Sequence, residues 1–478
     1  MEETITPPPS DTITPEEWQQ TPASVRQWIG ELRAEVKQLR QTVEQLQEIV
    51  NRNSQNSSQP PSQDRPEQKP AKEPSGPPRK RGGQPGHRGH HRALVDDVDE
   101  VVIHKPTRCA GCGALLLGDD PAPYRHQVTE LPIVKPKVIE HQVHSIDCPC
   151  CGQRNRGELP PEVASSWFGP NVISLVGLLM GRYRLSKRQV THLLAECFGI
   201  TMAASSVVNH QQMLSQALAA PVAEVEPVVK NEPVCNIDET SWRQVGAARR
   251  SWLWTVVTAQ VTLFRIAPGR SSQIARDLLG ETYGGVAGTD RCSSYTWLER
   301  RQLCWSHLVR DFQKILERGG DSHRIGWYLK CQAEYLLMRW ARVRDGTLDY
   351  FEFLAEFPAI QTQVRHWLTA GLTATSARTA ETCRRLLAAD PDLWRFASVP
   401  GLEPTNNSAE RALRHPVIWR RSSHGTQSDL GSRFVERILT VVETCRQQQR
   451  PVFDFLRDAL MAYRTGQPAP SLLPAHQP

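Results

Sequence analysis

The stretch from Pro233 to Glu317 constrains the fold more than any other part of the chain. It opens with "PVCNIDETSW", which reads as a buried strand ending in Asp238. "SWLWTVVTA" and "VTLFRIAPG" follow, rich in β-branched and aromatic residues and separated by a short break near Gln260, so they read as a hairpin. "SSQIARDLLG" reads as a helix with a serine at its start. "GGVAGTDRCSSY" contributes a short strand ending in Asp290, and "RRQLCWSHLVRDFQKILE" a strand leading into a helix from about His307. The order is β-β-β-α-β-(α)-β-α.

Three antiparallel strands followed by α/β crossovers match a ribonuclease-H-like sheet. In that topology the first and fourth strands are neighbours, so Asp238 and Asp290 stand at adjacent strand ends. A helix packed on the sheet can bring a third carboxylate to the same point. With 51 acidic residues in the chain, an Asp–Asp–Glu triple means little without those strand-end positions. "NNSAER", Asn406–Arg411, reads as a helix start: Asn406, Asn407 and Ser408 suit the N-cap, and Ala409 to Arg414 favour helix. Glu410 then sits in the first turn, where it complements the helix dipole or serves as a metal ligand. The stretch alone leaves both roles open.

Between these pieces, residues 319–400 read as a helical insertion. Its aromatic clusters, Trp327, Tyr328, Tyr335 and Trp340, then Phe351, Phe353 and Phe357, read as core. Residues 161–230 are also helical. A helix Lys187–Cys197, a turn at Phe198-Gly199-Ile200 and a second helix from about Ala203 have helix–turn–helix shape. The second helix is poor in Arg and Lys, so base contacts would fall to Ser205, Ser206, Asn209 and His210. A plain helical hairpin fits the same pattern.

Upstream, Val25, Ile29, Leu32, Val36, Leu39, Val43, Leu46 and Val50 form a sustained heptad. β-Branched residues at one core position and leucines at the other favour a parallel two-stranded coiled coil, so a homodimer or higher oligomer is expected. The alternative, an amphipathic helix packed on its own domain, is disfavoured because a Pro-, Ser- and Gln-rich linker follows. That linker ends in a basic arm, "RKRGGQPGHRGHHR", whose Arg79, Lys80, Arg81, Arg88 and Arg92 suit a phosphate backbone.

Residues 93–160 carry two Cys-x2-Cys-Gly knuckles. Cys109 with Cys112 and Cys148 with Cys151 would together hold one structural zinc ion in tetrahedral thiolate coordination. Two β segments around Pro136 would bring the knuckles together. Cys150 is a spare thiol, and His144 can substitute as a ligand.

The chain of 478 residues is long enough for several domains, and its net charge of +6 permits an anionic partner. The start of the sequence is acidic and Pro-rich with no apolar segment, and the longest apolar run, Val172 to Met180, is too short to span a bilayer. A cytoplasmic protein without a membrane partner is expected, associated with the nucleoid when bound to DNA. The expected divisions are an acidic disordered N-terminus (1–24), the coiled coil (25–50), the disordered linker and basic arm (51–92), the zinc module (93–160) and the helical segment (161–230). A catalytic domain in two pieces (231–318 and 401–462) then encloses the insertion (319–400), and a disordered tail (463–478) ends the chain.

Taken together, "NSQNSSQPPS", "RGGQPGHRGH", the two knuckles, "NIDETSW", "GTDRCSSY", "CWSHLVRDF", "TNNSAERALR" and "GSRFVERILTVVETC" resemble the insertion-sequence-66 family of bacterial DDE transposases. The resemblance runs from about Leu32 to Leu460 with the motifs in the family's order. It implies Asp238, Asp290 and Glu410 as the acidic triad, two magnesium (or manganese) ions held by that triad, cleavage at element ends and strand transfer into target DNA. It also implies small accessory proteins of the same element as partners. Among nearby cations, Arg310, Arg414 and Arg420, with His307, Arg411 and Arg421, are candidates for DNA phosphate contact, and Arg414 could instead pair back with Glu410. Two other readings fit parts of the pattern: a DNA-binding regulator over an inert sheet, and a nuclease that cuts without element ends.

Overall fold

The computed structural model describes residues 14–57, 59, 64–65, 92–164 and 166–474. Arg79, Lys80, Arg81 and Arg88 of the basic arm lie outside the described residues. Helix α1 (Ala23–Val50) carries the heptad. Its Val25, Leu32, Val36, Leu39, Val43, Leu46 and Val50 are all exposed. Its C-terminal part docks on the rest of the chain, where Glu48 pairs with Arg318 and Arg378, and Glu44 accepts from Ser376.

Each cysteine knuckle forms the same local turn. At the first, the Cys109 N–H donates to the Ala114 carbonyl at 2.9 Å and the Gly113 N–H to the Cys109 carbonyl at 2.9 Å. At the second, the matching bonds run from Cys148 to Gln153 and from Gly152 to Cys148. A short ribbon, Ser145–Asp147 against Arg154–Arg156, frames the second knuckle. The two β segments expected around Pro136 are not formed: no strand lies between residues 116 and 144. Pro132 and Pro136 cannot donate to a ladder, and Ile133, Val138 and Ile139 remain exposed with no sheet to bury them.

The longer helices that follow are α2 (Pro170–Gly181), α3 (Lys187–Phe198) and α4 (Ala204–Ala217). Ser186 and Gln189 make a capping box that starts α3, and Gly199 ends it in the left-handed conformation, φ 64°. Helix α4 packs one face inward. It buries Val207, His210, Gln211 and Leu214 in the same apolar core as the sheet. His210 faces the Phe168 ring at 5.3 Å and Ser166 Oγ at 3.3 Å, so its expected base contact is corrected: burial takes it out of reach. Ser205 and Asn209 stay exposed.

The sheet has strands β1 (Val234–Trp242), β2 (Ser251–Val257), β3 (Thr262–Pro268), β4 (Val286–Thr289) and β5 (Arg301–Leu303), in the order β3-β2-β1-β4-β5. The first three are antiparallel, whereas β1 and β5 both run parallel to β4. Helix α5 (Ser272–Leu279) connects β3 to β4, and α6 (Trp305–Glu317) leaves β5. Next come α7 (Gly320–Arg344), α8 (Tyr350–Ala370) and α9 (Ala377–Ala388), before α10 (Asn407–Ser423), α11 (Asp429–Gln447) and α12 (Val452–Thr465) return to the sheet. Among the described residues no helix is long and apolar enough to cross a membrane.

Two apolar cores hold this arrangement. One joins α2 to α4, the sheet and α10 to α12; the other joins α6 to α7, α8 and α9 around Phe353, Phe357, Phe396 and Trp394. The aromatics expected as core divide: Phe353 and Phe357 are buried, whereas Trp327, Tyr335 and Phe351 are exposed.

Edge strand β3 is sealed by α11. The N–H groups of Thr262, Phe264 and Ile266 donate to Thr444 Oγ1, Thr440 Oγ1 and Glu436 Oε1 at 3.0, 3.0 and 2.6 Å. Four residues of helix advance about 6.0 Å and two of strand about 6.8 Å, so the side chains keep step with the unpaired donors. Sealing the edge satisfies groups that would otherwise recruit another strand.

Candidate active site

The parallel register of the sheet sets the site. Asn236 stands opposite Gly288, so two residues further along each strand Asp238 and Asp290 fall at the same level. A β-carbon on Gly288 would lie 2.3 Å from Asn236 Oδ1, so glycine there permits the close approach of these strands. Asp238 is not at a strand end, as expected, but mid-strand. β1 continues against β2 as far as Trp242 paired with Ser251, while β4 stops at Thr289. The sheet narrows at that point and leaves the Asp238 side chain beside the departing Asp290.

Glu410 comes from the first turn of α10, which starts at Asn407. Asn406 occupies the N-cap position, but its side chain makes no capping bond. Fully buried, it instead donates from Nδ2 to the Ile237 carbonyl at 2.9 Å, and its backbone N–H donates to Cys304 Sγ at 3.1 Å. The Trp305 N–H donates to the Pro404 carbonyl at 2.9 Å. These bonds tie the Glu410 helix to the strand residue preceding Asp238 and to the start of α6.

Electrostatically the carboxylates form one cluster. Burial, with the nearby charges of Glu239, Asp290 and Glu410, pushes the Asp238 carboxyl well above the usual carboxylate range. Glu410 Oε1 is buried with no hydrogen-bond partner. It lies 3.5 Å from His307 Nδ1, and Oε2 lies 3.9 Å from the Arg310 guanidinium. Burial holds the His307 pKa below its ordinary value, although Glu410 pulls it upward. A cluster of crowded acids with an unpartnered buried oxygen fits divalent cations, which take oxygen ligands and relieve the repulsion.

Several residues of this site escaped the sequence reading. Arg270 pairs with Glu239, lies 3.6 Å from Asp290 Oδ2 and stacks over the Trp252 ring at 5.1 Å. The buried Tyr295 hydroxyl also donates to Glu239. Glu239 thus anchors the cation that flanks Asp290, while Arg291 pairs with Asp311 at 2.6 Å. The adjacent carboxylates of "IDET" were the available signal for Glu239; nothing around Arg270 in the sequence marks it.

The candidate DNA-contacting residues are dispersed. Arg414 and Arg411 are exposed on α10, and the ion pair from Arg414 to Glu410 is not formed among the described residues. Arg420 is occupied by the protein: it donates to Thr240 Oγ1 at 3.2 Å and Ser241 Oγ at 2.9 Å. Arg92 donates to Thr129. Both knuckles lower the pKa of their first cysteine through backbone N–H donors, from Cys112 and Gly111 to Cys109 and from Cys151 and Cys150 to Cys148. Such turns fit a thiophilic ion, but no three of the four cysteines lie within one ligand shell in this structure.

Residues 166–433, more than half of the chain, match the family described as Transposase IS66 family. Residues 106–152 match the zinc-finger binding domain of transposase IS66, and residues 5–93 match a family of unknown function. An uncharacterized protein, y4qI, of Sinorhizobium fredii is 24% identical over 282 residues, covering 54% of this chain. The chain spans about half the length of that relative, 51%.

Proposed function

The chain belongs to the IS66 transposase family, and on that premise we propose that it is a DDE transposase that cuts DNA at the ends of its element and joins the freed 3′ ends to target DNA. The strand order and the mixed parallel and antiparallel pairing support a ribonuclease-H-like core. The observation that carries the reading is the convergence on Asp238: it is level with Asp290 in the parallel register and feels the charge of Glu410 on a helix tethered to its own strand.

In this reading Asp238, Asp290 and Glu410 would hold divalent ions, magnesium or manganese, two in number. Ions bound there would supply a nucleophilic oxygen and neutralise charge on the leaving oxygen. Asn406 fixes where the Glu410 helix begins, and Arg270 offsets the charge of Glu239 beside Asp290. Arg310 and Arg414 are offered to phosphates, with Ser205, Asn209 and Arg92 at the periphery. In the first step water attacks phosphorus and the element's 3′ oxygen leaves as a hydroxyl. In the second step that hydroxyl attacks a target phosphate and displaces a target 3′ oxygen. No covalent protein–DNA intermediate is needed.

The exposed heptad of α1 supports pairing of two copies through a coiled coil, and the knuckles Cys109, Cys112, Cys148 and Cys151 support one structural zinc ion. The work is done in the cytoplasm on nucleoid DNA, with accessory proteins of the same element as partners. Asp238→Asn, Asp290→Asn and Glu410→Gln should each abolish metal-dependent cleavage of end-containing DNA while leaving DNA binding intact. Full strand transfer by any one of them would sink the assignment. Cleavage independent of element ends, with no joining, would instead favour the nuclease reading.

A further inference from the structure

A second kind of donor set lies at the edge of the carboxylate cluster. Cys304 Sγ, a His307 ring nitrogen and a Glu410 carboxylate oxygen all lie within 4.8 Å of one another, the only such group of three among the described residues. His307 Nδ1 and Glu410 Oε1 face each other at 3.5 Å, both buried and both without a hydrogen-bond partner. A ring nitrogen and a carboxylate oxygen this close share a positive charge, either a proton on the imidazole or a bound cation.

The spacing suits a metal ion. Zinc holds imidazole nitrogen and carboxylate oxygen at about 2.0–2.1 Å, which puts those two atoms about 3.3 Å apart in a tetrahedron. The observed 3.5 Å is close to that edge. Cys304 and His307 are separated by two residues at the start of α6, so one helical turn presents both toward Glu410. The Asn406 N–H donates to Cys304 Sγ at 3.1 Å, the sort of outer bond that orients a thiolate ligand. A set of sulfur, nitrogen and oxygen selects zinc over magnesium, which takes oxygen ligands.

We propose that Cys304, His307 and Glu410 form a three-ligand zinc site, separate from the cysteine knuckles, whose occupancy withdraws Glu410 from the acidic triad. The consequence, inhibition of cleavage by zinc, rests on the transposase reading; the binding of the ion does not.

The test titrates cobalt into full-length protein whose knuckles are already zinc-loaded. Thiolate-to-cobalt charge-transfer absorption and metal content are read for wild type, Cys304→Ala, His307→Gln and Asp238→Asn. Wild type and Asp238→Asn should develop the thiolate band, which cobalt bound by triad carboxylates alone does not give, and His307→Gln and Cys304→Ala should lose it. The band in Asp238→Asn, which the transposase reading makes inactive, separates this result from any failure of that reading. His307→Gln alters a partly exposed side chain and remains informative if the buried Cys304→Ala fails to fold. Equal cobalt uptake and an equal thiolate band in wild type and His307→Gln would overturn the proposal. In cleavage assays with magnesium, His307→Gln should need at least about tenfold more zinc for half-inhibition of whatever activity it retains, a difference of about 1.4 kcal/mol in zinc binding.

Discussion

Replacing Asn406 by alanine should loosen the joint between the Glu410 helix and the strand that carries Asp238. The side chain is fully buried and its Nδ2 donates to the Ile237 carbonyl at 2.9 Å, so the substitution removes the donor from a buried acceptor. That loss costs about 1–3 kcal/mol. Part is returned, because Asn406 Oδ1 has no partner and its burial cost disappears with it. A net loss of about 1–2 kcal/mol lowers the melting temperature by about 2–8 °C. The catalytic effect should be larger than the stability effect. A displacement of about 1 Å in a positioned group can cost about 100-fold in rate. Asn406→Asp discriminates between two roles. A capping residue tolerates aspartate as well as asparagine, whereas a tether to a carbonyl does not, because aspartate offers no N–H and adds a buried negative charge. The expected order of both melting temperature and cleavage rate is Asn, then Ala, then Asp. Differential scanning fluorimetry and single-turnover cleavage of an end-containing duplex read the two quantities. Wild-type values for Asn406→Asp would refute the tether and restore the capping role.

Two further outcomes follow from other parts of the fold. Burial raises the Glu436 pKa above its ordinary value, so its contribution to stability is fully present below the unfolded pKa and lost as pH rises through the folded one. Glu436→Gln keeps an acceptor for the Ile266 N–H but does not titrate, so its stability relative to wild type should rise between pH 4 and pH 8 in urea unfolding; a flat difference across that window contradicts the burial argument. In the zinc module, Cys148→Ser should lower zinc content as measured by mass spectrometry, whereas Cys150→Ser should leave it unchanged, since Cys148 and Cys151 are the pair at the knuckle spacing; the reverse result would reassign the ligand.

Much of the sheet was legible because strands announce themselves locally. β-Branched and aromatic runs at β2 and β3, broken near Gln260, are enough for a hairpin, and the adjacency of β1 and β4 follows from the order of elements. The extent of β1 was misjudged because Asp238 looks like a polar terminus, yet pairing with β2 carries the strand four residues further. The helix–turn–helix shape of α3 and α4 was legible too, but not its burial. The pattern at Val207, His210 and Leu214 records one apolar stripe and does not say what will cover it.

By itself, the sequence determined the local features: the knuckle turns, the succession of strands and helices along the chain, Asp238 within one strand and Asp290 just after another, and a helix beginning near Glu410. Those depend on spacing over a few residues, where side-chain periodicity and turn chemistry act directly. Tertiary structure alone decided that Asn406 bonds across 169 residues to Ile237, that Arg270 stands between Glu239 and Asp290, and that Glu410 faces His307. It also decided that α11 supplies acceptors to β3. Such contacts join groups far apart in the chain, and their partners are chosen by which buried polar atoms packing leaves unsatisfied, a quantity that no local pattern contains.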